Sequence, residues 1–332
     1  MAARRLFRIS SRVALSTTPV FETYWRFAYE RQEIFFRRLS GVPPPWTDDE
    51  VLRAFRFTNV YRASDRVSQY LIRHVIYNGP QSPDEIFFRV FLFKIFNRIG
   101  TWEHLVSELR QPTWRSFDLS RYDRALADLM ERGERIYSAA YIIPPPDLGR
   151  TRKHSNHLVL LSMMMRDNVP GRLASSSSLR EAFEVLRSYP SLGDFLAFQF
   201  AIDLNYGPFM NFSEMDHIVA GPGARSGIRK AFEDTMGLHD EDIIRAVTEY
   251  ASREFEKRDL PFRSLWGRTL QLIDCQNLFC EVDKYSRVAH PETIGLGRTR
   301  IKRRFDTPKI ALEQWYPPKW ELQPQLEPMR TT

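Results

Sequence analysis

The sequence predicts an all-α fold, and two observations support that prediction. Apolar residues recur every three or four positions, for example at Tyr24, Phe27, Ala28, Ile34 and Phe35, which is the period of a helix with one buried face. Alternating, strand-like runs are scarce, and breaks rich in Gly and Pro separate the periodic stretches, as at 41–45, 78–80 and 143–146. We therefore expect about ten to twelve helices.

Three segments of different composition suggest the domain order. Residues 1–19 hold four arginines and no acid, which predicts a basic N-terminal arm, with an organellar transit peptide as the less favoured alternative. Residues 20–290 carry the helical period, and a chain of 332 residues with 43% apolar content can bury a large core. Residues 291–332 combine a basic run with a Pro-rich end, which predicts an extended tail on the surface or on a nucleic acid.

Composition favours DNA as a partner. The chain has 48 Lys and Arg against 41 Asp and Glu, a net charge of +7, and forty of the basic residues are arginines, whose planar guanidinium suits phosphates and base edges. Apolar runs stay short of the roughly 20 residues that cross a bilayer, so no membrane association is predicted. Two cysteines, Cys275 and Cys280, offer no disulfide framework and indicate a reducing interior.

The stretch 218–228 predicts a helix-hairpin-helix motif. Residues 211–213 could cap a first helix that runs through Val219, and a second helix would span 225–236. Glycines allow a sharp turn and close approach of a ligand, and a helix N-terminus attracts an anion such as a DNA phosphate. The alternative is an ordinary turn between two helices. The residues expected to bind the DNA backbone are Gly221, Gly223, Ala224, Arg225 and Ser226.

A polar cluster is expected in the segment 57–70, where Ser64 or Asp65 can cap a helix. Polar side chains crowded at a helix N-terminus suit recognition of a phosphate or a base edge. A capped helix with an Asp–Arg surface pair of little energetic value is the alternative. The candidate residues are Asn59, Arg62, Asp65 and Arg66.

The segment 270–287 predicts a helix with two polar rows. Asp274, Asn277, Glu281 and Lys284 recur at spacings of three, four and three, and therefore share one face. Carboxylates beside a lysine could divide general acid and base roles if they are partly buried, whereas a solvated helix face is the alternative. A second row contains Gln276 and Asp283, which we also assign to base or phosphate binding and to catalysis, respectively.

A third candidate is the aromatic helix at 198–207, which places Gln199, Asp203 and Tyr206 on one side. Aromatic and amide groups together could stack on and hydrogen-bond an extruded base, or they could line a core. No Cys or His spacing matches a zinc site, and no G-x-x-x-x-G-K-[ST] loop for ATP phosphates is present, so neither a metal nor a cofactor is predicted.

Five sequence blocks occur in a fixed order along about residues 20–290. The blocks are 45–49 (PWTDD), 57–66, 93–97 (FKIFN), the hairpin 221–224 and 274–284. In this order they resemble the helical domain of the 5-hydroxymethyl-deoxyuridine DNA kinases and the related alpha-glutamyl/putrescinyl thymine pyrophosphorylases.

This resemblance implies a fold like that of the helical DNA glycosylases and a role in thymine hypermodification. In that chemistry a 5-hydroxymethyluracil in DNA is phosphorylated or pyrophosphorylated, and an amine displaces the activated group. Because the phosphate-binding loop of the kinases is missing, a separate nucleotide or DNA kinase and an amine co-substrate are the implied partners. The implied location is the bacterial cytoplasm, with the nucleoid or during phage infection.

The resulting mechanistic hypothesis has the hairpin hold the duplex while the target base enters a pocket lined by Asn59, Arg62, Asp203 and Tyr206. Asp274 or Glu281 would deprotonate the amine, and arginines at 62 and 66 would stabilise the departing phosphate. Two alternatives stay open, namely base excision of the glycosylase type and a non-catalytic DNA-binding module that recruits a kinase or transferase.

Overall fold

Helices dominate the computed structural model of the protein, which describes residues 5–293, 300–307, 312 and 314–322. The predicted all-α class is confirmed, with 14 α-helices and two short strands in the described ranges. Two units emerge, one formed by Met1–Asp65, Ile218–Gln314 and Leu322–Thr332, the other by Arg66–His217 and Trp315–Glu321. None of the described helices combines the length and apolar character needed to cross a bilayer.

Unit 1 contains a β hairpin and six α-helices in its described part. The strands pair antiparallel, with Phe7 opposite Leu15, and both of these side chains are buried. A 3-10 turn spans Arg62–Ser64. The elements in chain order are β1 (Leu6–Arg8), β2 (Ala14–Ser16), α1 (Pro19–Leu39), α2 (Glu50–Ala54), α11 (Pro222–Ala231), α12 (Asp240–Glu249), α13 (Ala251–Glu256) and α14 (Leu272–Ala289).

The longest helix of unit 1, α1, has clear start and stop signals. The Thr18 hydroxyl accepts a hydrogen bond from the N–H of Val20 (3.2 Å), and Pro19 occupies the first helical position. Glu22 lies in the first turn and Arg37 and Arg38 in the last, as the helix dipole favours. One face of α1 packs against α11 and α14, so α14 lies at the centre of the unit.

Unit 2 contains eight α-helices within the residues described. Its first helix, α3 (Arg66–Tyr70), continues as a π-helical segment over Leu71–Ile76. The others are α4 (Pro83–Phe96), α5 (Ile99–Leu109), α6 (Leu119–Glu131), α7 (Lys153–Arg166), α8 (Val169–Ala174), α9 (Leu179–Arg187) and α10 (Asp194–Leu204).

The core of unit 2 is built around α4. Twelve of its fourteen residues, from Glu85 to Phe96, are buried, and nine of these twelve are apolar, as expected for a helix at the centre of a core. It packs against α7, α8 and α10, and it ends at Asn97, which adopts the left-handed conformation (φ 47°) that terminates helices.

The predicted C-terminal tail contributes to both units in its described parts. In unit 1, the N–H of Phe305 donates to the carbonyl of Ala54 (3.1 Å), and the N–H of Arg56 donates to the carbonyl of Arg303 (3.1 Å). In unit 2, Lys319 donates to three carbonyls beyond the end of α10, one of them that of Gly207 (2.9 Å).

Candidate functional site

The region of the predicted hairpin differs from the prediction. Residues 211–221, all described, contain no helix, so the first helix of the helix-hairpin-helix motif is wrong. The second helix is α11, with Gly221 as its N-cap and Pro222 at its first position, and it ends at Ala231 rather than at 236. Proline at the first helical position preceded by a capping residue explains this start, and the Pro222 ring is incompatible with the interior of a longer helix.

Two glycines of α11 serve helix packing. A Cβ atom on Gly223 would lie 2.9 Å from the sulfur of Cys280, and one on Gly227 would lie 2.2 Å from the carbonyl oxygen of Phe279. Because the two glycines are four residues apart, they form one flat strip on which α14 lies. The close approach that the glycines permit is therefore that of a helix. Ala224, expected to contact DNA, is fully buried in this strip.

The same interface contains a buried polar cluster. The Ser226 hydroxyl donates to Asp283 (2.6 Å), the ammonium of Lys230 lies 3.2 Å from the same carboxylate, and Arg287 donates to it one turn further along α14. Burial alone would raise the pKa of Asp283, but hydrogen bonds from Ser226 and Arg287 and the charges of Arg287 and Lys230 outweigh it and hold the pKa below its usual value. Asp283 is thus an ionised, fully engaged anchor between α11 and α14.

Acidic groups surround the N-terminus of α11. The N–H of Ala220 donates to Glu241 (2.8 Å), and Arg225 donates to the carbonyl of Ala220 (3.1 Å) while lying 3.9 Å from Asp240. A phosphodiester placed here would meet two carboxylates, which opposes the attraction of the helix dipole.

The segment 57–65 is joined to α14 by backbone hydrogen bonds. Both oxygens of Asp274 accept N–H groups, one from Arg62 (2.8 Å) and one from Gln271 (3.0 Å), the latter within a capping box that begins α14. Two turns later, Glu281 accepts the N–H of Thr58 (2.9 Å). Two of the five resemblance blocks therefore lie side by side.

The side chains of the first polar row predicted on α14 lie in two different environments. Asp274 is 3% exposed and holds backbone groups, whereas the side chains of Glu281 and Lys284 are 15% and 22% exposed and pair at 2.8 Å. Two turns of helix separate Asp274 from Glu281, about 10 Å along the axis. Asn277 and Gln276 lie between them and hydrogen-bond each other (3.3 Å).

Other candidates of the segment 57–66 have separate positions. Asn59 is buried, where its amide donates to the carbonyl of Ser64 (2.6 Å) and accepts from Arg31 (2.7 Å). Asp65 is half-buried at the end of the 3-10 turn. Arg66, the first residue of unit 2, is exposed.

Candidates of the segment 198–207 lie in the interior of unit 2, and the helix predicted there, α10, ends at Leu204, so Tyr206 follows it. Gln199 is fully buried, and Asp203 forms an ion pair with Lys94 (2.7 Å), whose ammonium also lies 4.0 Å from the ring centre of Tyr141. Tyr206 is fully buried and meets the ring of Trp320 edge-on at 5.5 Å. These contacts are typical of a core.

Unit 1 also contains a cavity of about 360 Å³ that the sequence analysis missed. Its volume falls within the range of small-molecule sites. Two resemblance blocks contribute to its wall, 45–49 and 57–66. The lining residues are Arg31, Ile34, Arg38, Pro44, Pro45, Trp46, Thr47, Leu52, Arg53, Phe55, Phe57, Phe305 and Thr307.

Arg31 is the buried cation of this cavity. It is 7% exposed, and its Nη2 donates to Asn59, while Nη1 has no hydrogen-bond partner in the part of the chain that is described. Burial, followed by the neighbouring charge of Arg38, lowers the pKa of Arg31 to about 10, so it remains charged at neutral pH. Arg31, Ile34 and Arg38 share one face of α1, and arginines on the buried face of a helix are the signal that could have identified the site.

Metal ligands are not clustered in the described ranges, where no group of three or more His, Cys, Asp or Glu side chains is placed to hold an ion.

Comparison with known proteins identifies the family of this chain. A family model described as the helical domain of 5-hmdU DNA kinase, where 5-hmdU is 5-hydroxymethyl-deoxyuridine, matches residues 18–295. The chain therefore belongs to that family, as the resemblance of the five blocks predicted.

One curated relative is the 5-hmdU DNA kinase of Bacillus phage SP10, which is 27% identical over 290 residues. The match covers 80% of this chain but 45% of the relative, so this chain spans less than half of that protein's length. No solved structure matches the chain.

Proposed function

We propose that this protein acts in the modification of 5-hydroxymethyluracil in DNA, on the free or the phosphorylated base. Its membership of the helical-domain family supports this role, as does the named substrate of the phage relative. A separate kinase would supply the phosphorylated base. The site would be the surface where the segment 57–65 meets α14.

The observation that carries this proposal is the family match over residues 18–295. Two hydrogen bonds bring the resemblance blocks of the proposed site together, from the N–H of Arg62 to Asp274 and from the N–H of Thr58 to Glu281. Asp274, with both oxygens engaged, acts as a positioning residue that holds Arg62. Glu281 is the better general base, because its Oε1 accepts no hydrogen bond from the described residues, and its Oε2 pairs with Lys284 at 2.8 Å.

The proposed step is displacement of the activated group by an amine. The amine nitrogen attacks the methylene carbon attached to C5 of the base, the carbon–oxygen bond to phosphate breaks, and phosphate departs with the electron pair. Glu281 takes the proton of the attacking nitrogen, and Arg62 stabilises the charge on the departing phosphate. Extruding the base from the duplex costs a few kcal/mol, which phosphate and stacking contacts would offset.

A second candidate function is DNA binding without catalysis, in support of a kinase or transferase. The engagement of Asp274 and Glu281 with backbone N–H groups favours it, because both carboxylates have a structural role that needs no reaction.

The test is mass spectrometry of nucleosides from DNA that contains 5-hydroxymethyluracil, after incubation with the protein, a DNA kinase, ATP and a pool of amines. The proposal expects a heavier thymidine derivative with the wild type, its loss in Glu281→Gln, and its retention in Glu256→Gln, a control at an exposed position of α13. Unchanged nucleosides with retained DNA binding would select the binding module, and abasic sites would select base excision.

A further inference from the structure

The cavity of unit 1 combines concentrated positive charge with aromatic walls. Arg31, Arg38 and Arg53 line it, and none of the three has a carboxylate oxygen within 4.0 Å among the described residues. The charges of Asp65 and Glu281 raise the pKa of Arg31, but each has a smaller effect than burial, which lowers it. Like charges gathered in a partly desolvated space are unfavourable unless an anion joins them.

We propose that this cavity binds a nucleotide, with the phosphate at Arg31 and Arg38 and the base against Trp46, Phe55 and Phe305. The proposal goes beyond the proposed function and does not depend on it, because binding needs no base modification.

The phosphate position follows from the guanidinium groups. Arg31 presents a buried Nη1 that lacks a partner in the described chain, and a buried donor left unpaired is costly. Arg38 is on the same face of α1, two turns further on, and burial lowers its pKa. A phosphate oxygen would satisfy the donor of Arg31 and neutralise both charges, as paired guanidinium–phosphate contacts do.

The base position follows from the aromatic wall. The rings of Trp46 and Phe305 meet edge-on at 6.3 Å, and the guanidinium of Arg38 lies 5.2 Å from the Trp46 ring centre. Arg304 covers one face of Phe55 at 4.6 Å. Flat aromatic and guanidinium surfaces beside a phosphate site suit a nucleobase, whose stacking on such groups tolerates any base.

The ligand could be a free nucleotide or a nucleotide unit of a DNA strand, because both present the same phosphate and ring. Arg53, which is exposed, lies at the wall of the cavity and would meet a strand that continues outward. The two sources differ in chain length, so binding measurements can separate them.

The experiment is a calorimetric titration of the wild-type protein with thymidine 5′-monophosphate, with unmodified thymidine and with a 5′-phosphorylated thymidine pentanucleotide. We expect the monophosphate to bind at least tenfold more tightly than thymidine, because only the monophosphate has a phosphate that can form charge-assisted hydrogen bonds with the arginines. Tighter binding of the pentanucleotide would assign a DNA strand as the source, and equal binding a free nucleotide.

Variants locate the binding. Arg38→Gln should weaken monophosphate binding tenfold or more, and Arg31→Gln likewise, whereas Arg26→Gln, on a solvent-facing position of the same helix with 74% side-chain exposure, should leave it unchanged. Arg31 contacts Asn59, so Arg38→Gln is the decisive variant if Arg31→Gln fails to fold. Absence of binding by any phosphorylated probe, or equal binding by the wild type and Arg38→Gln, would overturn the proposal.

Discussion

In the described part of unit 1, buried charges have counter-ions at the interface between α11 and α14 but lack them in the cavity beside α1. At the interface, Asp283 is surrounded by Ser226, Lys230 and Arg287, so the buried charge is compensated. In the cavity, Arg31 and Arg38 lie together without a carboxylate within 4.0 Å in the described residues. A compensated cluster stabilises a fold, whereas an uncompensated one indicates a place for a ligand.

The largest expected effect comes from breaking the compensated cluster. Asp283→Asn leaves Lys230 buried without its counter-charge, so we expect the free energy of unfolding to fall by about 4 kcal/mol, measured by urea denaturation. Because the folded-state pKa of Asp283 is held below 3.8, this contribution exists above about pH 4 and is lost as pH falls further. Asp128→Asn, at an exposed position, is the control, and equal stability of both variants would contradict the role of Asp283.

Substitution in the glycine strip of α11 should lower the free energy of unfolding almost as much. In Gly227→Ala the new methyl group would lie 2.2 Å from a backbone oxygen of α14, so the helices must separate. We expect a loss of about 3 kcal/mol, despite the gain in helix propensity. Thermal denaturation of both variants would measure this loss. Gly100→Ala, on helix α5 with nothing within 4 Å of the added Cβ, is the control and should be neutral or slightly stabilising. Similar melting temperatures for the two variants would show that α11 and α14 can part without cost.

The next effect is a pH dependence of stability caused by the buried, uncharged His157 of unit 2. His157 accepts from the Tyr137 hydroxyl (2.9 Å) and donates to the carbonyl of Pro144 (3.2 Å), which fits an uncharged ring. Burial lowers its pKa to about 4, so between pH 6.5 and 4 the unfolded chain binds a proton that the folded chain does not. Stability should therefore fall by up to about 3 kcal/mol across this window, to which His154, whose pKa burial also lowers, adds in the same direction.

The check on this prediction is the variant His157→Gln. Its stability should depend less steeply on pH between 6.5 and 4 than that of the wild type, whatever the change at pH 7. An unchanged slope would contradict the assignment of the acid effect to His157.

The smallest stability effect is expected in the cavity. Arg38→Gln removes a charge that has no counter-ion, so the free energy of unfolding should stay within about 1 kcal/mol of the wild type. The same substitution is expected to weaken monophosphate binding at least tenfold, so stability and binding separate at this residue. A large loss of stability would mean that Arg38 is a structural residue like Lys230.

The sequence predicted the helical class because helical periodicity reports burial directly, and it predicted α14 because polar and apolar rows recur along it. It failed at residues 211–221, which contain no helix, because α11 begins only at Pro222, with Gly221 as its N-cap. Gly223 suggested a ligand because a glycine permits any close approach, and the sequence does not say whether a phosphate or a helix approaches.

The cavity was missed for a related reason. Arg31 belongs to no short motif and Phe305 is far from it in the sequence, so their common place in the cavity wall depends on how α1 packs against later segments of the chain. Similarly, the sequence places Asp274 and Glu281 on one helix face but does not reveal that Arg62 and Thr58 donate backbone N–H groups to them.

The most direct test of the central claim, that the cationic cavity rather than the start of α11 binds a nucleotide phosphate, is a comparison of ligand binding by two variants. The dissociation constants of thymidine 5′-monophosphate and of thymidine would be measured for the wild type, Arg38→Gln and Arg225→Gln. We expect the wild type and Arg225→Gln to prefer the monophosphate by at least tenfold and Arg38→Gln to lose that preference. Loss of the preference in Arg225→Gln, with Arg38→Gln unaffected, would contradict the claim.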